Sequence, residues 1–253
     1  MAPPVPIEVL DIAAFEVPTD EPESDGTLQW DSTTLVLVEL RAGGKSGLGY
    51  TYGHRACATL IRDKLAGIIE GHDAFAVRGG WLKMVDAIRN LGRPGISSMA
   101  IAAVDVAMWD LKARLLDVPL VTLLGAVRPA VPVYGSGGFT SYSSDRLQAQ
   151  LGGWIEAGIR RVKMKIGREP ECDLERIRLA REAIGPAAEL YVDANGAYSR
   201  KQALAMAEAF HIHGVSWYEE PVTSDDLPGL RLLRDHAPAG MEVSAGEYGY
   251  DLP

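Results

Sequence analysis

The sequence predicts an α+β domain followed by a (β/α) barrel, of which about five βα units fall within its 253 residues. Three observations carry that prediction. Apolar residues alternate as in strands through the first fifty positions, a helical period takes over from His54 to about Leu124, and beyond Arg128 a strand-then-helix unit recurs.

The strand pattern covers residues 7–17 and 33–40, then a Gly-rich return through Gly47 and Gly49, which reads as a three-stranded antiparallel meander. Between the first two strands lies a stretch from Pro18 to Trp30, rich in Asp, Glu, Pro and Gly, expected to be a long loop that is either functional or a solvated connector. In the helical block, Val104, Met108, Leu111 and Leu115 recur at three- and four-residue steps and mark a buried face.

After Arg128 the predicted strands are 131–135, 161–166, 190–193, 215–219 and 241–245. Between them run amphipathic helices, each closed by a glycine suited to a C-terminal cap, such as Gly185 and Gly214. Repeated units of this kind imply a parallel sheet with helical crossovers, and no Gly-x-Gly-x-x-Gly turn follows the first strand, so a barrel is favoured over an open dinucleotide-binding sheet. The division is a capping domain over 1–127 and a partial barrel over 128–253. With eight strands needed for closure, the later ones are expected from elsewhere, either further chain or a second polypeptide completing the barrel.

Composition narrows the function. The chain is 47% hydrophobic and 23% charged, with a formal net charge of -9 and no Lys/Arg-rich run, which disfavours nucleic acid as a partner. No segment approaches the roughly 18 consecutive apolar residues of a membrane span, and no secretory leader is evident. The two cysteines, Cys57 and Cys172, lack the spacing of a disulfide framework or zinc site, and a reducing cytoplasm is expected.

In such a barrel the chemistry sits where strands end and loops begin. The polar residues there are Lys163 and Lys165, Asp193 and Asn195, Glu219 and Glu220, and Glu247. Lys163 and Lys165 are two apart on one strand and share a face, with Met164 on the other. A Lys-x-Lys pair alone is more often found on an exposed edge strand. If its face is the barrel interior, two ammonium groups are forced together, and one should fall well below the usual value of about 10.4.

Asp193, Glu219 and Glu247 close successive strands and would meet at one rim, repelling unless a hard cation lies between them. Oxygen-only donors favour Mg²⁺, or Mn²⁺, over zinc. Glu220, next to Glu219, should point the other way and support or cap. The histidines at 211, 213 and 236 fall on helices, away from strand ends.

These residues, read together, resemble the enolase superfamily, in its mandelate racemase/muconate lactonizing group. The markers are Val104-Asp105-Val106-Ala107-Met108-Trp109-Asp110-Leu111-Lys112 with Leu123-Leu124-Gly125, Val162-Lys163-Met164-Lys165-Ile166-Gly167, Val192-Asp193-Ala194-Asn195-Gly196, Trp217-Tyr218-Glu219-Glu220-Pro221 and Ala245-Gly246-Glu247.

The resemblance implies Asp193, Glu219 and Glu247 as Mg²⁺ ligands, Lys165 as the base on one substrate face, and Lys163 as the neighbour that depresses its pKa. It implies that the N-terminal domain caps the barrel. The segment from Pro18 to Trp30 and the one from Tyr50 to His54 would then close over a small carboxylic acid, an acid sugar by expectation. The family's opposite-face Asp–His pair has no counterpart in these residues. The expected reaction is Mg²⁺-dependent removal of the proton α to a carboxylate, most simply an acid-sugar dehydration. Racemisation, epimerisation or cycloisomerisation are alternatives, as is an inactive fragment awaiting a second chain. A homo-oligomer is also implied.

Overall fold

The computed structural model describes residues 3–250. It divides into two compact units: residues up to 18 with 32–130, and residues 131–249 together with 19–31.

β1 (Val9–Ser24), β2 (Gln29–Ala42) and β3 (Lys45–Gly53) form one sheet in that order, with residues 19–31 of the first hairpin counted in the second unit. β2 turns into β3 at Gly43-Gly44, both at positive φ (54° and 72°), and the antiparallel register runs from Ala42↔Lys45 to Thr34↔Gly53. Two consecutive residues at positive φ match the right-handed twist of the flanking strands, which is why a Gly-Gly pair stands there. The helices follow as α1 (Arg55–Leu60), a π-helical turn (Ile61–Leu65), α2 (Ala66–Ile69), α3 (Val77–Ala87), α4 (Ile96–Leu115) and α5 (Leu120–Leu124).

Val36, Val38 and Leu40 alternate inward from β2 and are fully buried against α4, whose Ala100, Ala103, Val104, Ala107, Met108 and Leu111 supply the facing stripe. The approach of β3 to this helix is closer than a side chain permits. A Cβ on Gly49 would stand 2.0 Å from the carbonyl oxygen of Ala103, and one on Gly47 would stand 2.3 Å from the amide of Leu111. No helix among the described residues is long and apolar enough to cross a membrane.

The second unit carries the strand-helix alternation: β4 (Gly135–Gly137), α6 (Ser144–Glu156), β5 (Arg161–Lys165), α7 (Pro170–Ile184), β6 (Glu189–Asp193), α8 (Arg200–Ile212), β7 (Val215–Glu219), α9 (Leu227–His236) and β8 (Glu242–Ser244). The five strands pair in parallel in chain order. Val162, Met164, Leu190, Val192 and Tyr218 face the helix layer and are buried with Leu147, Ile177, Phe210 and Leu233. The opposite parity therefore faces the concave side, and Lys163 and Lys165 belong to it.

Two sequence expectations need correction. The apolar run 131–135 is not the first strand of this sheet: Val131 and Val133 are exposed, and Gly135-Ser136-Gly137 pairs with Val162-Lys163-Met164 instead. Close packing explains the shift, since a Cβ on Gly135 would lie 2.3 Å from the Trp154 ring and one on Gly137 would lie 2.5 Å from Gln150 Oε1. The stretch from Pro18 to Trp30 is not a long loop either. β1 and β2 continue through it, leaving a tight connection from Asp25 to Leu28.

Beneath β5 and β6, the buried Asp173 of α7 accepts the Gly167 amide at 3.0 Å and the Tyr198 hydroxyl. Burial raises the Asp173 carboxyl above its ordinary value, outweighing the pull of the Tyr198 and Gly167 hydrogen bonds and of the Arg176 charge. An acid whose pKa is higher folded than unfolded binds more protons in the folded state, so its contribution to stability falls as pH rises from the unfolded value through the folded one. Asp173→Asn, which cannot ionise, is therefore expected to cost most at acid pH and progressively less as pH rises from about 4. Urea unfolding of both proteins across that range checks this, and a difference independent of pH would contradict it.

Candidate metal centre

The register of the parallel sheet aligns Lys165, Asp193, Glu219 and Ser244 across β5 to β8 in one layer, with Lys163, Tyr191, Trp217 and Glu242 in the layer before it. Residues of equal parity on paired parallel strands project to the same side, so the strand ends deliver the acids and lysines together. Each acid of the first two ends its strand for a backbone reason. Asn195 (φ 45°) and Glu220 (φ 39°) both take the left-handed conformation, which turns the chain out of the sheet.

Asp193, Glu219 and Glu247 each place a carboxylate oxygen within 4.8 Å of the other two. Asp193 is fully buried, Glu219 half-buried and Glu247 exposed. Two oxygens bound to one Mg²⁺ or Mn²⁺ at about 2.0–2.4 Å can be at most about 4–5 Å apart, so the cluster has the size of a single hard-cation site. The donors are all oxygen, which fits Mg²⁺ and Mn²⁺ and not the Cys/His preference of zinc.

The lysines close the cluster from beneath. Lys165 Nζ donates to Asp193 Oδ2 at 2.6 Å and to Asn195 Oδ1 at 2.9 Å. Lys163 Nζ donates to Glu219 Oε2 at 2.8 Å and lies 3.4 Å from Asp193 Oδ2. It also sits 5.3 Å above the Tyr134 ring. Burial works to lower Lys163, but the hydrogen bond to Glu219 and the charges of Asp193, Glu219 and Tyr134 prevail and hold it above its ordinary value. Two ammonium groups sharing one strand face are expected to push one lysine below its usual value. Lys163 is not that lysine, because each ammonium has its own carboxylate partner.

Glu220 is 1% exposed, with Oε1 facing the Gly246 amide at 3.5 Å and Oε2 lacking any hydrogen bond. Burial pushes its carboxyl up, and the charges of Asp193, Glu247 and Glu219 add to that against the pull of Gly246. Its backbone accepts from Gly196 and donates to Ser244, both at 2.8 Å, so it ties together the ends of β6, β7 and β8. Three carboxylates, Asp193, Glu219 and Glu247, thus gather beside two ammonium groups, with the buried Glu220 carboxyl adjacent. A divalent cation would balance that excess.

The tip of the first hairpin belongs to this unit. Asp25 accepts the amides of Thr27 and Leu28 at 2.6 and 2.7 Å, and the Thr140 hydroxyl donates to its carbonyl at 2.9 Å. Gly26 then lies against the loops leaving β5 and β6: a Cβ there would come within 2.4 Å of the Ala194 carbonyl and 2.7 Å of that of Ile166. Trp30 donates to Glu23 at 2.9 Å and meets Phe139 edge-on. Tyr248, next to Glu247, is pushed up to about 12 by burial and by the charges of Glu247, Glu220, Asp25 and Asp193.

Tyr50 and His54 lie in the other unit. Tyr50 is exposed on β3, edge-on to Tyr52, and the His54 imidazole caps α1 through the Ala56 amide at 3.1 Å. Asp25, Gly26 and Tyr248 are not singled out by the sequence, and Trp217 enters there only within the marker around Glu219. The Asp25-Gly26 pair, a strong hairpin-turn signal, could have revealed the tip.

A parallel sheet that presents such a cluster at its carboxyl end defines an α/β enzyme-type centre. Residues 11–125 match the family "Mandelate racemase / muconate lactonizing enzyme, N-terminal domain", and residues 146–253 match "Enolase C-terminal domain-like". A mandelate racemase/muconate lactonizing enzyme-like protein from Rubrobacter xylanophilus is 61% identical, with a TM-score of 0.94 over 96% of this chain and 68% of that one. The chain belongs to the mandelate racemase/muconate lactonizing enzyme family of the enolase superfamily.

The 3,6-anhydro-alpha-L-galactonate cycloisomerase of Streptomyces coelicolor is 33% identical over 94% of this chain and 66% of its own length. The L-talarate/galactarate dehydratase of Salmonella typhimurium LT2, solved with Mg and L-lyxarohydroxamate, is 28% identical, with a TM-score of 0.85 over 96% of this chain and 65% of that one. The chain thus spans about two thirds of the length of these relatives.

Proposed function

We propose that this protein removes the proton α to the carboxylate of an acid sugar in a Mg²⁺-dependent reaction, and that the outcome is dehydration. The observation that carries the reading is the convergence of Asp193, Glu219 and Glu247 within 4.8 Å beside two lysine ammonium groups. Asp193, Glu219 and Glu247 would hold the cation. Once bound, it would supply positive charge to the substrate carboxylate and so lower the cost of the second negative charge that develops as the α-proton leaves.

Lys165 is the base. Its Nζ lies 2.6 Å from Asp193 Oδ2 and 2.9 Å from Asn195 Oδ1, fixed at the edge of the carboxylate cluster where a carboxylate-bearing substrate would present its α-carbon; as the neutral amine, once a bound cation takes up the Asp193 charge, it would accept that proton. Asn195 aims Lys165, and Lys163 holds Glu219 while keeping positive charge beside the site. The hairpin tip, seated on the loops after β5 and β6 through Gly26, walls the site and excludes water. Trp30 and Phe139 on that wall select the substrate.

Racemisation or cycloisomerisation would begin with the same proton transfer, and the likeness to a cycloisomerase favours keeping that second outcome in view. A panel of hexarates, aldonates and their epimers, assayed for 2-keto acid with and without Mg²⁺, separates them. Dehydration gives Mg²⁺-dependent 2-keto acid. Proton exchange with solvent and no 2-keto acid would replace dehydration by isomerisation, and neither, with Mg²⁺ still bound, would refute the proton-transfer reading.

A further inference from the structure

Trp217 lies two residues before Glu219 on β7 and projects to the same concave side. Its indole Nε1 donates to Glu219 Oε2 at 3.2 Å, the same oxygen that accepts Lys163 Nζ at 2.8 Å. Two donors from two strands therefore converge on one oxygen. The indole is itself held, since its ring stacks at a 37° tilt on Tyr191 with centroids 5.7 Å apart. Tyr191 in turn meets Tyr134, the ring beneath Lys163, at 5.7 Å. A continuous aromatic floor thus supports both donors to Glu219.

We infer that Trp217 is a positioning residue for the cation site: with Lys163 it pins one oxygen of Glu219, fixing the carboxylate so that its other oxygen is presented to the ion. The inference rests on the proposed Mg²⁺ site. A carboxylate that accepts only from a lysine keeps freedom to rotate, and a lysine can follow it. A rigid indole N–H, packed on a tyrosine, cannot. Outer partners of metal-binding groups typically control affinity by about 10- to 100-fold.

Trp217→Phe keeps an aromatic ring on Tyr191 and removes the N–H. Titration calorimetry of Mg²⁺ into the purified protein is expected to show affinity weakened by about tenfold or more, with an unchanged thermal midpoint and with turnover restored by excess Mg²⁺. Tyr191→Phe, which keeps the floor, is expected to bind Mg²⁺ as the parent does. Should Trp217→Phe disturb folding, benzothienylalanine at position 217 puts sulfur in place of the N–H in an otherwise similar ring, and the same weakening is expected. Parent-like Mg²⁺ affinity in the folded variant overturns the inference and leaves the proposed function standing. Failure of the parent itself to bind Mg²⁺ overturns both.

Discussion

On the proposed function, Lys165→Ala is expected to lose α-proton abstraction by about 10²- to 10⁴-fold while Mg²⁺ binding persists, the range expected when a positioned base is removed. The effect is this large because, among the described residues, the neighbouring lysine is already engaged. Lys163 is bonded to Glu219 and lies over Tyr134, held above its ordinary pKa, so it is a poor proton acceptor near neutrality. Removing Lys165 also frees Asp193 Oδ2 and Asn195 Oδ1 from their shared donor. Metal affinity should therefore stay or rise, which distinguishes loss of the base from collapse of the site. Solvent-deuterium exchange at the α-carbon, followed by NMR, reads the step directly. Exchange retained within a few-fold of the parent would remove Lys165 from the mechanism.

Gly49→Val is expected to be the most damaging substitution for folding of the first unit. The Cβ alone would lie 2.0 Å from the Ala103 carbonyl, 2.5 Å from the Ala107 amide and 3.1 Å from the Ala107 side chain, all belonging to the long helix α4. Most of those atoms are backbone, so no rotamer change relieves the clash, and β3 must part from α4. Overpacking in a core costs about 1–3 kcal/mol where side chains can yield, and more where they cannot. We expect a loss above about 3 kcal/mol by urea unfolding, large against the 5–15 kcal/mol typical of a whole domain. Gly44→Ala makes a fitting comparison: no atom lies within 4 Å of the added Cβ, and only the positive φ of 72° opposes it. A Gly49→Val protein as stable as Gly44→Ala would mean that the strand and helix do not pack as closely as described.

The parts of this protein that were legible in sequence are those where local pattern and tertiary role coincide. β5, β6 and β7 are short strands in which apolar residues are interspersed with others and the last residue is charged. Parity along them places Lys163, Lys165, Asp193 and Glu219 on one side, and α4 declares its buried stripe through Val104, Met108 and Leu111. Illegible were positions where a contact distant in sequence decides. Residues 131–134 have the better strand composition, yet Gly135 and Gly137 form the strand because only they admit Trp154 and Gln150. The acidic stretch from Pro18 to Trp30 has the polar composition of a solvated loop. It forms strands whose tip is fixed by Thr140, Ala194 and Ile166, more than 100 residues away. Lys163, the expected neighbour of the base, stands above its own ordinary value for a related reason. Counting lysines on one strand leaves out the carboxylates that the neighbouring strands bring to them.

The proposed chemistry requires that Asp193, Glu219 and Glu247 together hold a divalent cation. Crystals grown with Mn²⁺ and measured across its absorption edge test it without recourse to any substrate. A single anomalous peak is expected, within about 2.0–2.6 Å of one oxygen from each of the three residues. No peak at saturating Mn²⁺, or a peak bound by other residues, would contradict the claim and the chemistry built on it.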